Sequence, residues 1–316
     1  MAARALRLTL GLLATLFAAS FVIFGALYAA PGDPASFLVG GQEDATPEKL
    51  AAVRAAYHLD DPFLVRYGDW LGGVLHGDFG RSLQYNDHVA DLLSSRLPTT
   101  LFLVAYSAVL FVVAGIALGV VSAVRGGRLD AVIVAVSTLL ASIPKFVKAL
   151  ALVAFFGVQL GWFPVTGAGG GFTDRLYHLT LPALALALGE LAVVSRVTRQ
   201  SMVEQYKQDH VAVARAAGLA EHKVVRRHVL RNALAPVVTM CGLIVASLFA
   251  GTVVVETAFG ISGMGSLLVQ SIDMHDFPVT QAVLLLMVLA YMVVTTVVDL
   301  LHPLIDPRVR LEGSRA

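Results

Sequence analysis

Residues 202–236 read MVEQYKQDHVAVARAAGLAEHKVVRRHVLRNALAP, the longest polar run in the second half of an otherwise apolar chain. Lys207, Arg215, Lys223, Arg226, Arg227 and Arg231 are interspersed there with Glu204, Asp209 and Glu221. Long apolar segments bracket the run on both sides. Gly218 divides it, because glycine takes the left-handed conformation that ends a helix, so two short helices are expected. A charged helix-turn-helix hung between two membrane spans is a docking surface.

Outward from that run, the 316 residues are 57% hydrophobic and 14% charged, with a mean hydropathy of +0.76. This is too apolar for an ordinary soluble domain and fits an integral membrane protein whose partner surface is lipid. Its net charge of +1 gives no footprint for nucleic acid. The single cysteine, Cys241, lies in an apolar run. It excludes an internal disulfide and a cysteine metal site, and fits a small buried hydrophobe.

A transmembrane helix needs about 20 largely apolar residues. Arg4 and Arg7 precede such a run from about Leu8 to Ala30, longer than a signal-peptide core and read as a retained first span. Pro31-Gly32-Asp33-Pro34 breaks it. Residues 31–97 then form the one long hydrophilic region outside the spans, with ten acids and five Lys/Arg. Thr46-Pro47-Glu48 starts a helix there, and a second is expected after Asp61-Pro62, through Trp70 to about Leu75. Asp60, Asp61, Asp69 and Asp78 lack calcium-loop spacing and read as solvated surface. Further spans are expected at about 99–124, 129–158, 179–197, 233–255 and 279–302, making six.

The positive-inside rule orients them. The N-terminus carries two Lys/Arg, the loop at Arg125 and Arg128 two, residues 196–231 eight and the C-terminal tail three, against Arg175 alone in the short opposite loops. Both termini and the 202–236 run are therefore expected in the cytoplasm, and the 31–97 segment outside. The expected organisation is a first transmembrane helix at 1–30, an extracytoplasmic segment at 31–97, five helices at 98–303 containing the 202–236 loop, and a cytoplasmic tail at 304–316.

No phosphate loop, HExxH, GxSxG or paired acidic site occurs, so catalysis by this chain alone is not expected. The glycine run 167–171 reads as a turn. Gly115/Gly119 and Gly157/Gly161 have the spacing for close helix contact. Lys145 and Lys148 follow Ile143-Pro144 near the middle of the third expected span, on neighbouring positions of one helical face, with Glu190 as an available counter-ion. They are candidates for lining a translocation path and holding an anionic group of a cargo. A structural ion pair with Glu190 or another subunit, or snorkelling, stands beside that reading. Asp130, Asp299 and Glu256 fall near span ends, where polar heads are cheap.

Read together, these residues resemble a family. Asp209-His-Val-Ala-Val-Ala-Arg-Ala-Ala-Gly218-Leu219, followed by Arg227-His-Val-Leu-Arg-Asn-Ala-Leu-Ala-Pro236, is similar to the "EAA" coupling motif of the permease subunits of ATP-binding-cassette (ABC) importers, in the dipeptide/oligopeptide/nickel group and of its inner-membrane B type. Pro31–Pro34, Leu71–Gly80, Arg96–Thr100, Ser142–Pro144, Gly161–Pro164, Val255–Gly260 and Asp306–Arg308 correspond in order, so the resemblance covers nearly the whole chain. It implies an all-α integral membrane protein of the type I importer permease fold, a multi-pass protein of the cytoplasmic membrane. It also implies a second homologous permease, two cytoplasmic ATP-binding subunits and an extracytoplasmic substrate-binding protein. ATP and Mg would bind the partner ATPases, with no cofactor or metal on this chain. Asp209, His210, Ala214, Arg215, Ala217, Gly218 and Leu219 would form the coupling loop seated on an ATPase subunit. This chain has His210 where the group often has an aromatic residue, Ala217 where lysine is common, and Lys145 and Lys148 where apolar or small residues are usual. Peptide import is the expected function. Carriage of nickel or another small solute on the same architecture is the alternative, and a stand-alone secondary transporter would require paired halves that the sequence lacks.

Overall fold

In a computed structural model, the structure describes residues 2–28, 46–56, 60–82 and 84–305. Both Pro31–Pro34 and Asp306–Arg308 lie outside the described residues, as does the side chain of Asp299. Among the described residues every regular element is helical, save an isolated bridge between Arg81 and His88. The chain divides into two compact units.

The first unit takes Met1–Pro98 with Ser266–Leu289. Helix α1 (Ala2–Tyr28) contains the first candidate span, Thr9–Ala26. Helix α2 (Pro47–Ala56) starts at the expected proline, and α3 (Phe63–Leu75) follows Pro62 as expected. Helix α11 (Met264–Asp273) and the first half of α12 (Phe277–Ile305) complete the unit. Its polar anchor is Asp276, fully buried. That carboxylate accepts from Ser82 Oγ at 2.5 Å and from the Gln84 amide at 3.3 Å, tying the 80–88 loop to the turn before α12.

The second unit takes Thr99–Gly265 with Ala290–Ala316. Helix α4 (Val89–Arg125) begins in the first unit and continues through Pro98 into the second. Helix α7 (Gly171–Tyr206) is also continuous, and crosses α4 closely. A Cβ on Gly115 would stand 2.8 Å from Val194 Cβ, and one on Gly119 would stand 2.6 Å from the Ser195 carbonyl. The first glycine pair is thus a helix contact. The second is not: Gly161 lies in a turn at φ +63°.

The segment expected as one span at 129–158 is two helices. Helix α5 (Gly127–Ser142) and α6 (Lys145–Leu152), the latter continued by a π-helical turn to Gln159, meet at 101°. Ile143 is extended, as a residue before proline must be, and Pro144 then sets the start of α6. Five unbroken helices are long and apolar enough to cross a membrane, and this bent pair makes a sixth segment among the described residues. The core of the unit is built by Leu103 and Phe111 of α4, Ala149 of α6, Leu179 and Leu186 of α7, and Leu248 and Val255 of α10, the helix Arg231–Ala258.

Two acids expected at cheap positions are in fact committed. Asp130 of α5 receives both Arg199 Nε and Nη2 at 2.5 and 2.6 Å, and Ser122 Oγ as well, so one carboxylate joins α4, α5 and α7. Glu256, fully buried at the end of α10, accepts from Thr100 Oγ1 at 2.6 Å and the Gly265 amide at 2.7 Å. Polar heads at span ends can turn inward as well as outward, and periodicity alone does not distinguish the two.

Candidate functional site

Helix α8 (Asp209–Ala216) ends the way the sequence demands. The Gly218 amide bonds to the Arg215 carbonyl at 2.9 Å and the Leu219 amide to the Ala214 carbonyl at 3.3 Å, with Gly218 at φ +76°. This is the Schellman arrangement, in which a left-handed residue lets the chain reverse while the last carbonyls stay bonded. Arg215 closes the reversal from outside. Its Nη2 and Nε donate to the two Glu221 carboxylate oxygens at 2.6 and 3.1 Å, and its guanidinium lies 5.4 Å from the Tyr206 ring centroid. The Glu221 hydrogen bonds push the Arg215 guanidinium above its already high value.

The far side of the turn departs from the expected pair of short helices. Helix α9 (Glu221–Val224) passes through a π-helical turn, Val225–Leu230, directly into α10, so Glu221–Ala258 is one continuous rod. The loop proper is residues 207–220, held between that rod and α7. Two of its apolar residues face inward: Val211 and Ala214 pack with Met202, Val224, Val229 and Ala233. Ala214, expected among the partner-facing residues, is therefore buried within the loop itself. Asp209, His210, Arg215, Ala217, Gly218 and Leu219 are exposed, and so is Val213, which the sequence reading did not single out. Asp209 opens α8, where a carboxylate is favoured by the free amides. His210 Nε2 lies 3.2 Å from the His228 carbonyl oxygen and from Asn232 Nδ2, clasping the two arms.

A second polar cluster sits at the helix break. Lys145 Nζ pairs with Glu190 Oε1 of α7 at 3.0 Å. Lys148 is 5% exposed, and its ammonium points back across the break to the Leu140 carbonyl at a long 3.4 Å. That carbonyl is among those a helix C-terminus leaves unbonded, so the lysine caps α5. Two glycines make room for these heads. A Cβ on Gly189 would stand 2.6 Å from Lys148 Nζ, and one on Gly251 would stand 3.0 Å from Lys145 Nζ. The sequence signal was available, a glycine on each facing span, but only the packing reveals which lysine each one faces. The structure thus brings Lys145, Lys148 and Glu190 together.

A helical membrane chain with a broken span, an intramembrane charge cluster and an exposed, glycine-turned loop between two long spans has the architecture of an ABC transporter permease of type I fold. The chain belongs to the family described as "Binding-protein-dependent transport system inner membrane component", matched over residues 115–311, with the N-terminal component of such systems matched over residues 1–104. It is thus a multi-pass protein of the cytoplasmic membrane. It is 39% identical over 304 residues to the glutathione transport system permease protein GsiC of Escherichia coli (strain K12), covering 95% of this chain and 96% of that one. The same-named protein of Salmonella choleraesuis (strain SC-B67) is 39% identical over 306 residues, covering 96% and 98%. Among solved structures, an inward-facing form of the MetNI methionine ABC transporter matches at a TM-score of 0.57 and 18% identity, covering 68% of this chain and 96% of that one. That similarity carries the fold.

Proposed function

We propose that this chain is a channel-forming permease of an ATP-driven importer of di- or oligopeptides, and that its 202–236 loop receives the motion of partner ATPases. The observation that carries the reading is mechanical. Residues 207–220 are clasped between a helix that ends at Tyr206 and a continuous one that begins at Glu221. Movement of so short a reversal must move both spans, because neither rod has a joint at the loop. Asp209, His210, Arg215, Ala217, Gly218 and Leu219 form its outer surface, with Ala214 supporting them from inside. The loop offers no phosphate-binding sequence, which makes it a receiver of force; ATP and Mg belong to the partner subunits.

The excess of Lys/Arg in this loop and at both ends of the chain supports a cytoplasmic position for them, with 31–97 on the other face and 304–316 as a cytoplasmic tail. A second, similar permease completes the channel, two ATPase subunits bind below, and a substrate-binding protein delivers solute from outside. Lys145, Lys148 and Glu190 lie on the solute path in this reading. A peptide carries a carboxylate and an amine, and the cluster supplies both complementary charges. The named solute of the GsiC relatives, glutathione, is itself a peptide.

Uptake by the purified complex in liposomes tests the proposal. ATP-dependent accumulation of a labelled dipeptide, requiring the ATPase chains, is expected. Uptake driven by an ion gradient without them would overturn the mechanism, and nickel uptake without peptide uptake would overturn the cargo. Normal uptake by assembled Lys145→Ala and Lys148→Ala complexes would remove the cluster from the path.

A further inference from the structure

Helix α3 lies in a region that its acidic composition assigns to water, yet it packs along the span of α1. Phe63 rests against Phe21 and Phe24 with ring centroids 5.5 Å away from each. Tyr67 meets Phe17, Phe21 and Phe24 at 6.1, 5.2 and 5.6 Å, and Trp70 meets Phe24 at 5.5 Å. The Tyr67 hydroxyl is 2.8 Å from Ser20 Oγ. Ser20 stands six residues inside the Ala26 end of the span, about 9 Å of helix rise. A side chain hydrogen-bonded at that depth draws its own helix down to the membrane boundary.

The two flanks of α3 then differ in a way that a water-borne helix would not need. Phe63, Tyr67 and Trp70 recur at helical spacing and make the face on α1. One position round, Leu64, Gly68, Leu71 and Leu75 form an apolar stripe, in which Leu64 is 70% and Leu75 77% exposed. Arg66 and Asp69 occupy the opposite flank. On α1, the rings that meet Tyr67 are themselves exposed, Phe17 by 57% and Phe21 by 41%. Tyrosine and tryptophan beside it are the residues enriched at membrane interfaces.

We infer that α3 is an interfacial helix, lying in the leaflet at the Ala26 end of the first span with Leu64, Leu71 and Leu75 in the acyl boundary and Asp69 toward water. The occupant of the stripe is lipid because the stripe flanks the face by which α3 packs on a membrane span. Helices of this kind bury their apolar side by about 5–10 Å, which matches the depth of Ser20. No residue of this surface belongs to the 202–236 loop or to the Lys145, Lys148 and Glu190 cluster, and its assignment does not depend on the cargo.

Nitroxide labels test it at Leu64→Cys, Leu75→Cys and Asp69→Cys in a Cys241→Ala background, in the full transporter complex in phospholipid nanodiscs. All three labelled positions are exposed, so the fold is left intact. Accessibility is read against oxygen, which partitions into lipid, and a water-soluble nickel chelate. The oxygen-to-nickel ratio is expected to be several-fold higher at 64 and 75 than at 69. Equal ratios with strong nickel access at all three would place α3 in water, and shielding of 64 and 75 from both reagents would place a protein partner on the stripe. Either result overturns the inference.

Discussion

The ammonium of Lys148 occupies the space that a side chain on Gly189 would need, its Nζ lying 2.6 Å from the position of such a Cβ. Lysine and glycine here are two halves of one fit. A buried ammonium is costly, and this one is accommodated by a backbone that comes close enough to enclose it while it caps the Leu140 carbonyl.

Gly189→Ala is therefore expected to displace the Lys148 ammonium from the Leu140 carbonyl; because the atom met is the tip of a flexible side chain, the cost is about 1 kcal/mol, that of one hydrogen bond. The thermal midpoint of the complex in nanodiscs measures it. Removing the ammonium makes room for the methyl group, so Gly189→Ala combined with Lys148→Ala should cost less than the sum of the single changes. Strict additivity would mean that the two residues do not share the space.

Glu256 makes a comparable prediction at the other end of α10. Its carboxylate holds the Thr100 hydroxyl and the Gly265 amide, and Thr100 Oγ1 in turn accepts from the Met264 amide at 2.8 Å. Glu256→Ala strands these buried donors, at about 1–3 kcal/mol for each one left unbonded. Glu256→Gln retains one carbonyl oxygen and should lose less. A glutamine variant as unstable as the alanine variant would show that the charge, not the hydrogen-bond geometry, holds the loop.

For Asp130 and Arg199 the planar fork matters. Both carboxylate oxygens are met by separate guanidinium nitrogens, which a lysine ammonium cannot reproduce. Arg199→Lys should thus behave nearly as Arg199→Met does in uptake and thermal midpoint, although it keeps the charge. Exchanging the partners, Asp130→Arg with Arg199→Asp, should recover part of the loss. Full function in Arg199→Lys would reduce the contact to simple charge attraction.

Legibility in the sequence followed the range of the forces involved. Apolar run length is local, so five of six membrane segments and the helices at Pro47 and Phe63 were readable from composition and proline placement. The loop turn was readable too, since only glycine takes φ +76° without strain. What escaped was decided across helices. Ile143-Pro144 looked like a tolerated proline within one span; the proline breaks the helix locally, but the 101° bend belongs to α6 packed on α7 and α10. Asp130 and Glu256 sat at positions where solvent exposure was equally compatible with the pattern, and their partners on other helices, Arg199 and Thr100, are 69 and 156 residues away in sequence. The Leu64–Leu75 stripe was hidden by the acidic residues surrounding it.

Gly218 gives the sharpest test of the coupling assignment because space and backbone conformation can be separated there. No atom lies within 4 Å of a Cβ built on it, so a substitution there meets no steric neighbour. Any effect must come from φ +76°, which costs an ordinary L-residue about 1–2 kcal/mol, costs asparagine less, and is worst for a β-branched residue. Uptake per ATP hydrolysed, measured on assembled complexes, should accordingly fall in the order Gly218, Gly218→Asn, Gly218→Ala, Gly218→Val. The valine variant is expected to insert and assemble yet hydrolyse ATP with little uptake, because its turn no longer holds α8 against the continuous rod that starts at Glu221. If valine and asparagine were equally well coupled, the handedness of the turn would have no part in force transmission, and the loop could not be the element through which the ATPases move the spans.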